Sequence, residues 1–79
     1  MKPNQLARAQ VRKLTPRQQD VLRLIADSFT AEMIAFYMGL TVHAVHYHRI
    51  EIQRKLGIGA RDTAALTRVA MRAGLVKEL

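Results

Sequence analysis

The sequence predicts an all-α domain, and three observations carry this prediction. Apolar residues recur at helical spacing along most of the chain, and no stretch alternates with period two for long enough to form a strand. Capping residues and glycines mark where each helix begins and ends. The connections between helices are about two to five residues long, as in compact helical domains. The 79 residues therefore form one small domain, without repeats or low-complexity segments.

The first two predicted helices have clear start signals. The segment Thr15-Pro16-Arg17-Gln18 combines a capping threonine, a proline for the first turn and a glutamine at the capping-box position. It predicts a helix over about 16–28. Thr30 is placed to cap a second helix over about 31–38, and Gly39 suits the C-terminal turn of that helix.

The third and fourth helices are delimited in the same way. Thr41 is placed to cap a helix that runs to Leu56 and ends at Gly57 and Gly59. The fourth helix is predicted over about 62–73, before Gly74. Only a three-residue turn, which begins with a glycine, separates the second helix from the third, and such a turn is typical of a helix-turn-helix.

Residues 1–13 differ from the rest of the chain because they contain four basic residues and no acid. Two interpretations stay open for them, a basic N-terminal arm that frays and a short extra helix. The helical spacing of Leu6, Ala7, Val11 and Leu14 supports the helix. We place the domain boundary between this segment and residues 14–79.

The third helix has two faces with different compositions. At about 100° per residue, one face carries Val42, Val45, Ile52 and Leu56, flanked by His48 and Arg49. The other carries imidazoles, a phenol, an apolar side chain and a guanidinium, and we call it the recognition face: His43, His46, Tyr47, Ile50 and Arg54. A helix anchored on one side and bearing such groups on the other can lie in a DNA major groove.

The overall charge supports a polyanionic partner. Thirteen Lys and Arg against six Asp and Glu give a net charge of +7. This excess suits nucleic acid or an anionic membrane surface. Nucleic acid is favoured, because no apolar run approaches the roughly 20 residues of a membrane span and the N-terminus has no apolar signal core. The absence of cysteine excludes a disulfide framework and a thiol nucleophile, and it fits a cytoplasmic protein.

These residues together resemble the DNA-binding domain of LuxR/GerE-type regulators, which is also the effector domain of NarL-type response regulators. The resemblance covers residues 14–76. It rests on the opening Leu14-Thr15-Pro16-Arg17 and the run Val21–Ala26, on Ile34-Ala35, Val42 and Val45, and on His48-Arg49, Ile52 and Arg54–Gly57.

The resemblance implies a four-helix fold, transcription regulation in a bacterial or phage cell, association with the nucleoid and a homodimer. It implies contacts to double-stranded DNA by Thr41, His43, His46, Tyr47, Arg49, Ile50, Arg54 and Lys55, with Tyr47, His46 and Ile50 at base edges and the arginines and Lys55 at phosphates. It implies dimerisation through the fourth helix, where Leu66, Val69, Ala70 and Ala73 form a stripe of mostly small residues. No sensory or receiver domain precedes the module in these 79 residues, so we expect either a free-standing regulator or part of a longer protein.

Two departures from the family pattern carry information. Histidines stand at positions 43 and 46, where the family usually has lysines, so phosphate attraction there should be weaker and should depend on pH. The second helix has Met33, Phe36 and Tyr37 where the family usually has charged residues. Exposed apolar clusters tend to mark contacts, so this apolar patch either lies under the N-terminal segment or binds RNA polymerase or another regulator. We favour the N-terminal segment, with Leu6 and Val11 over the patch.

Other functional classes find little support. His43 and His46 are three residues apart, but no third metal ligand is evident, so we expect no metal site and no cofactor. His48 is expected to be a packed, hydrogen-bonded histidine. No catalytic constellation is present, so we expect no enzymatic activity. Two alternatives stay open, an anti-activator that pairs with a related regulator, and region 4 of a sigma factor, which shares the opening and the helix-turn-helix.

Overall fold

The structure is a computed structural model that describes residues 2–76. Over these residues the chain forms five helices and no strand, in accordance with the predicted all-α class. In chain order they are α1 (Pro3–Val11), α2 (Pro16–Ala26), α3 (Ala31–Met38), α4 (Val42–Leu56) and α5 (Thr63–Arg72). The predicted domain end at residue 79 lies outside the described residues.

The predicted start signals are confirmed by hydrogen bonds. The Gln18 amide donates to Thr15 Oγ1 at 3.1 Å and the Thr15 amide donates to Gln18 Oε1 at 3.0 Å, which completes a capping box. Thr30 and Thr41 each accept from the amide three residues ahead, at 3.2 and 3.0 Å. The structure therefore begins α2, α3 and α4 where the sequence indicates.

The ends of the helices differ slightly from prediction. Helix α2 stops at Ala26, because Ser28 has a φ of 68° in the left-handed region and cannot continue the helix. Gly39 and Gly57 end α3 and α4 with φ values of 69° and 67°, which glycine adopts at little cost. Helix α5 begins after Asp62, whose carboxylate accepts from the Ala65 amide at 3.0 Å.

Of the two interpretations of the N-terminal segment, the structure supports the short helix. Ala7 and Val11 are only 3% and 6% exposed, and α1 packs against α5 and, to a lesser extent, α4. The Gln19 side chain donates to the carbonyl oxygens of Val11 and Leu14, at 3.1 and 3.3 Å, and so satisfies acceptors at the end of α1. Helix α1 is thus an integral part of the packed domain.

Helix α2 is central to the core and packs against α3, α4 and α5. The largest fully buried side chains come from four helices: Val21, Leu22, Ile34, Ile52 and Leu66. Helices α3 and α4 pack on each other across the short turn, with Ile34, Ala35 and Val45 buried between the elements. This packing holds α4 by its apolar face.

The predicted dimer stripe on α5 is corrected by the structure. Leu66 and Ala70 have no exposed surface, and Val69 and Ala73 pack against the same core. The reason is that α5 is covered by both α2 and α1, whereas the sequence alone leaves the place of residues 1–13 open. A side chain without exposed surface cannot meet a second chain, so Leu66 and Ala70 stabilise the monomer. Val69 and Ala73 are half-buried, and their part in a dimer contact stays a prediction.

Candidate nucleic-acid interface

Helix α4 presents the recognition face to solvent as its periodicity predicts. Val45, Ile52 and Leu56 are buried, while all five residues of the recognition face are exposed. Tyr47 and Ile50 are each 60% exposed, although both are large and partly or wholly apolar. Solvent exposure of such side chains on a rigid helix is typical of a surface that binds a partner.

The turn before α4 fixes the direction in which this face points. The Leu40 amide donates to the Ala35 carbonyl at 2.8 Å, which closes the end of α3. Thr41, a predicted DNA contact, is exposed, and its hydroxyl oxygen accepts from the Ala44 amide. The hydroxyl therefore stabilises the helix start, although its own O–H can still donate to a phosphate.

Arg54, a predicted phosphate contact, forms an ion pair within α4. Its Nε and one terminal nitrogen donate to the two carboxylate oxygens of Glu51, at 2.9 and 3.1 Å. This hydrogen-bonded pair lowers the pKa of Glu51 and raises the pKa of Arg54 relative to their ordinary values. The guanidinium is exposed, but its charge is partly offset by an acid on the same surface.

Lys55, the other predicted phosphate contact at this end of α4, is half-buried. Its ammonium donates to Gln18 Oε1 at 2.9 Å, the same oxygen that accepts from the Thr15 amide. The lysine therefore joins the end of α4 to the capping box of α2. Two of its three ammonium donors remain for another acceptor.

A cleft lies beside the recognition face, and it contains a basic residue that the sequence interpretation missed. The cleft has a volume of about 510 Å³ and is lined by His46, Arg49, Ile50, Gln53, Ala60, Arg61 and Thr63. Arg61 is exposed and lies in the loop between α4 and α5, outside the family motifs used in the prediction. A basic residue within a short loop after a recognition helix is the signal that could have identified it.

Three hydrogen bonds from side chains of α4 stabilise the shape of this cleft. Gln53 is only 5% exposed and donates to the carbonyl oxygens of Gly59 and Ala60, at 3.4 and 2.8 Å. The half-buried Arg49 donates to Thr63 Oγ1 at the start of α5. Two guanidinium groups, those of Arg49 and Arg61, thus line a pocket that adjoins the side chains predicted to meet base edges.

The expectation for His48 is partly wrong. The side chain is half-buried beside the core, as predicted, but its Nδ1 atom is buried without a hydrogen-bond partner among the described residues. The sequence shows how deep a helical position lies, but it does not show which acceptors from other helices come close to it.

The apolar patch of Met33, Phe36 and Tyr37, which we call the α3 patch, is open to solvent. Phe36 is 93% exposed, Tyr37 65% and Met33 48%, and the Tyr37 ring packs edge-on against Phe29 with centroids 6.1 Å apart. The favoured prediction that the N-terminal segment covers this patch is wrong. Val11 lies in the core, Leu6 is 51% exposed, and α1 packs mainly on α5.

Residues 2–76 contain no group of three or more His, Asp or Glu side chains that could hold a metal ion. None of the helices in this range is long and apolar enough to cross a membrane.

Comparison with known proteins identifies the fold. A family profile described as bacterial regulatory proteins of the luxR family matches residues 12–70, which include all of α2 to α4 and most of α5. The chain belongs to the LuxR family. Members of this family are transcription regulators and not enzymes, in agreement with the sequence prediction. No solved structure gives a significant match to this LuxR-family chain.

Three relatives illustrate the similarity. The transcriptional activator protein PhzR of Pseudomonas fluorescens is 41% identical over 59 residues, which are 75% of this chain and 24% of PhzR. The transcriptional regulatory protein MctR of Rhizobium johnstonii is 38% identical over 66 residues, 84% of this chain and 30% of MctR. The nitrate/nitrite response regulator protein NarL of Escherichia coli is 36% identical over 56 residues, 71% of this chain and 26% of NarL. The chain therefore spans less than a third of each of these proteins.

Proposed function

We propose that this LuxR-family domain binds duplex DNA sequence-specifically, with α4 in the major groove, and regulates transcription through this binding. The observation that carries the proposal is the recognition face. Its five side chains are all exposed on a helix whose opposite side is locked into the core. Base edges in the major groove offer both hydrogen-bonding groups and thymine methyls. His46 and Tyr47 supply polar groups for the former, and Ile50 supplies an apolar contact for the latter.

We assign phosphate contacts to the edges of the same face. Arg49 and Arg61 line the cleft, and Arg54 is exposed at the end of α4. Their guanidinium groups support contacts with the sugar-phosphate backbone. Lys55 can add a contact through its free donors while it keeps its bond to Gln18. Such contacts set affinity and orientation, whereas the base contacts set sequence choice.

Two substitutions separate these roles. Arg61→Ala should weaken binding to every duplex alike, by about tenfold at moderate salt, and should make the slope of log K against log salt shallower by about 1. Tyr47→Ala should instead reduce the preference for selected sites over random duplex, since one good base contact contributes roughly 1–3 kcal/mol of discrimination.

The measurement is fluorescence anisotropy on sites selected from a random library, over a range of salt concentrations and without any other protein. Both positions are exposed, so circular dichroism should show both variants folded. Wild-type binding that does not depend on salt would exclude the proposal. An equal loss on all sequences for Tyr47→Ala would remove Tyr47 from the base-reading set.

We propose further that the homodimer assembles on DNA. Two-fold symmetric pairs suit palindromic half-sites. The open side of α5 carries Arg68 and Arg72, and the described part of α5 has no acid to pair with them across a two-fold axis. Like charges therefore oppose pairing of free chains through α5. Sedimentation should find a monomer in low salt without DNA and two chains on a duplex with two half-sites.

A second candidate function is favoured by the exposed α3 patch. Phe36 at 93% exposure on a regular helix suits an interaction module that pairs with RNA polymerase or another LuxR-type regulator. The two candidate functions predict different results for binding to duplex DNA in the absence of any other protein. An interaction module without DNA function would show no salt-dependent binding to duplex DNA, while Phe36→Ser would leave the binding of a DNA-reading domain unchanged.

A further inference from the structure

The positive charge of this domain is not concentrated on its recognition face. From Thr30 to Ile58, which includes both helices of the helix-turn-helix, three basic residues face two acids, and the net charge is only +1. The histidines there are counted as neutral. The Arg54 charge is further offset by its bond to Glu51. The segment that contains the helix-turn-helix thus holds only one of the seven net charges of the domain.

Six of the seven net charges reside on α1, α5 and their immediate flanks. Residues 2–13 and 63–76 contain no acid at all. The basic residues there are all exposed, and together we call them the α1/α5 basic surface: Lys2, Arg8, Arg12, Lys13, Arg68 and Arg72. Among the described residues none of the six forms an ion pair, since the ion pairs there join Arg23 to Asp20 and Arg54 to Glu51.

The fold brings these charges together on two neighbouring helices, α1 and α5, that pack on each other more than on α4. Helix α1 packs on α5, so their exposed sides adjoin, and α5 has α2 and α1 as its main packing partners. Helix α2 packs on both α4 and α5, α1 has only a minor contact with α4, and Arg49 of α4 bonds Thr63 at the start of α5. Along α1, Gln5, Arg8, Ala9 and Arg12 line an open hollow of about 450 Å³, in which an oxyanion can meet two guanidinium groups.

The composition of the α1/α5 basic surface indicates which polyanion it fits. Protein interfaces have cores enriched in aromatic side chains and depleted of charge. Six large apolar side chains are exposed in the described part of the chain. Leu6 lies on α1 among the α1/α5 basic surface, no such side chain lies on α5, and the other five lie on α3 and α4. Arginines without apolar neighbours suit the phosphate backbone, which guanidinium groups bind in bidentate fashion.

We propose that the α1/α5 basic surface is a second, sequence-independent DNA-binding surface, which holds a duplex segment other than the one that α4 contacts. The proposal does not depend on the recognition face, because charge, exposure and the packing of α1 on α5 carry it alone. If both surfaces act, one domain joins two duplex segments.

The test combines NMR mapping with matched variants of the 79-residue chain. A short duplex of random sequence is titrated into labelled protein while the backbone amide signals of α1, α4 and α5 are followed. We expect the α1 and α5 signals to shift, and the total binding to reach two duplexes per chain. Arg8→Gln with Arg12→Gln should lower the affinity of this surface by about 60-fold at 0.1 M salt, because about two phosphate contacts are lost.

The control removes the same charge elsewhere. Arg17→Gln with Arg23→Gln on α2 also lowers the net charge by two, and it should change this affinity by less than about fivefold. An equal loss in both double variants would overturn the proposal, because net charge and not the surface would then govern binding. Far-UV circular dichroism of both double variants verifies that they fold.

The remaining outcomes separate this proposal from the function proposed for α4. Shifts confined to α3 and α4 would overturn the second surface and leave the recognition face intact. Shifts at α1 and α5 with none at α4 would support the second surface and overturn the function proposed for α4. Joint saturation at one duplex per chain would show that a single duplex spans both surfaces and would overturn the claim of a second segment. Polyglutamate that binds α1 and α5 more tightly than the duplex would point to an acidic protein partner and also overturn it.

Discussion

Replacement of Glu51 by Gln should strengthen DNA binding, although it removes a contact that the structure contains. Glu51 accepts two hydrogen bonds from Arg54, at 2.9 and 3.1 Å, and so holds this guanidinium along α4. Glu51→Gln removes a negative charge beside the proposed groove contact and frees Arg54 for a phosphate. One additional phosphate contact makes the salt slope steeper by about 0.9, which is roughly an eightfold gain in affinity at 0.1 M salt.

The fold should tolerate this change, because exposed ion pairs within a helix contribute little to stability. The matched control is Asp20→Asn, which removes the acid of the other such pair, Asp20–Arg23 on α2, at 3.7 Å. Because that pair lies on α2 and outside the recognition face, Asp20→Asn should change the DNA affinity by less than about twofold.

The assay is fluorescence anisotropy on a selected site over a range of salt concentrations. The gain should disappear in a chain that also carries Arg54→Gln. Persistence of the full gain in that double variant would refute the reasoning, because Arg54 would then not be the group that Glu51 restrains. The absence of any gain would place Glu51 away from the DNA backbone.

Two further predictions concern the core and pH. Leu66→Ala should destabilise the monomer by about 2–5 kcal/mol, as for other fully buried leucines. The measurement is urea denaturation, whose midpoint should fall by an amount that does not depend on protein concentration. A loss of self-association with an unchanged urea midpoint would instead place Leu66 in a dimer contact. Because histidine is the side chain that gains charge between about pH 8 and pH 6, DNA affinity should rise as pH falls over this window, and Gln at both His43 and His46 should remove the dependence. Glu51 stays ionised throughout that window, since its hydrogen bonds to Arg54 lower its pKa, so it does not contribute to the change in affinity. Equal binding of the wild type at pH 6 and pH 8 would place both imidazoles away from phosphates.

Sequence alone determined the helices and the recognition face, because these depend on interactions within a few residues. Thr15, Thr30 and Thr41 cap their helices through bonds to amides three positions ahead, and Gly39 and Gly57 end helices by a local backbone conformation. The separation of α4 into a buried and an exposed side follows from 3.6 residues per turn. The resemblance to the LuxR family rests on the same short motifs, and the match of the family profile to residues 12–70 confirms it.

Only the tertiary structure decided what lies against what. The stripe on α5 reads equally well as a dimer surface or as core, and the packing of α1 and α2 on it made Leu66 and Ala70 part of the core. The same placement of α1 left Phe36 exposed. The bonds of Lys55 to Gln18 and of Arg49 to Thr63 join residues 37 and 14 positions apart. Such contacts depend on how the helices pack, and the periodicity of each helix carries no information about its neighbours.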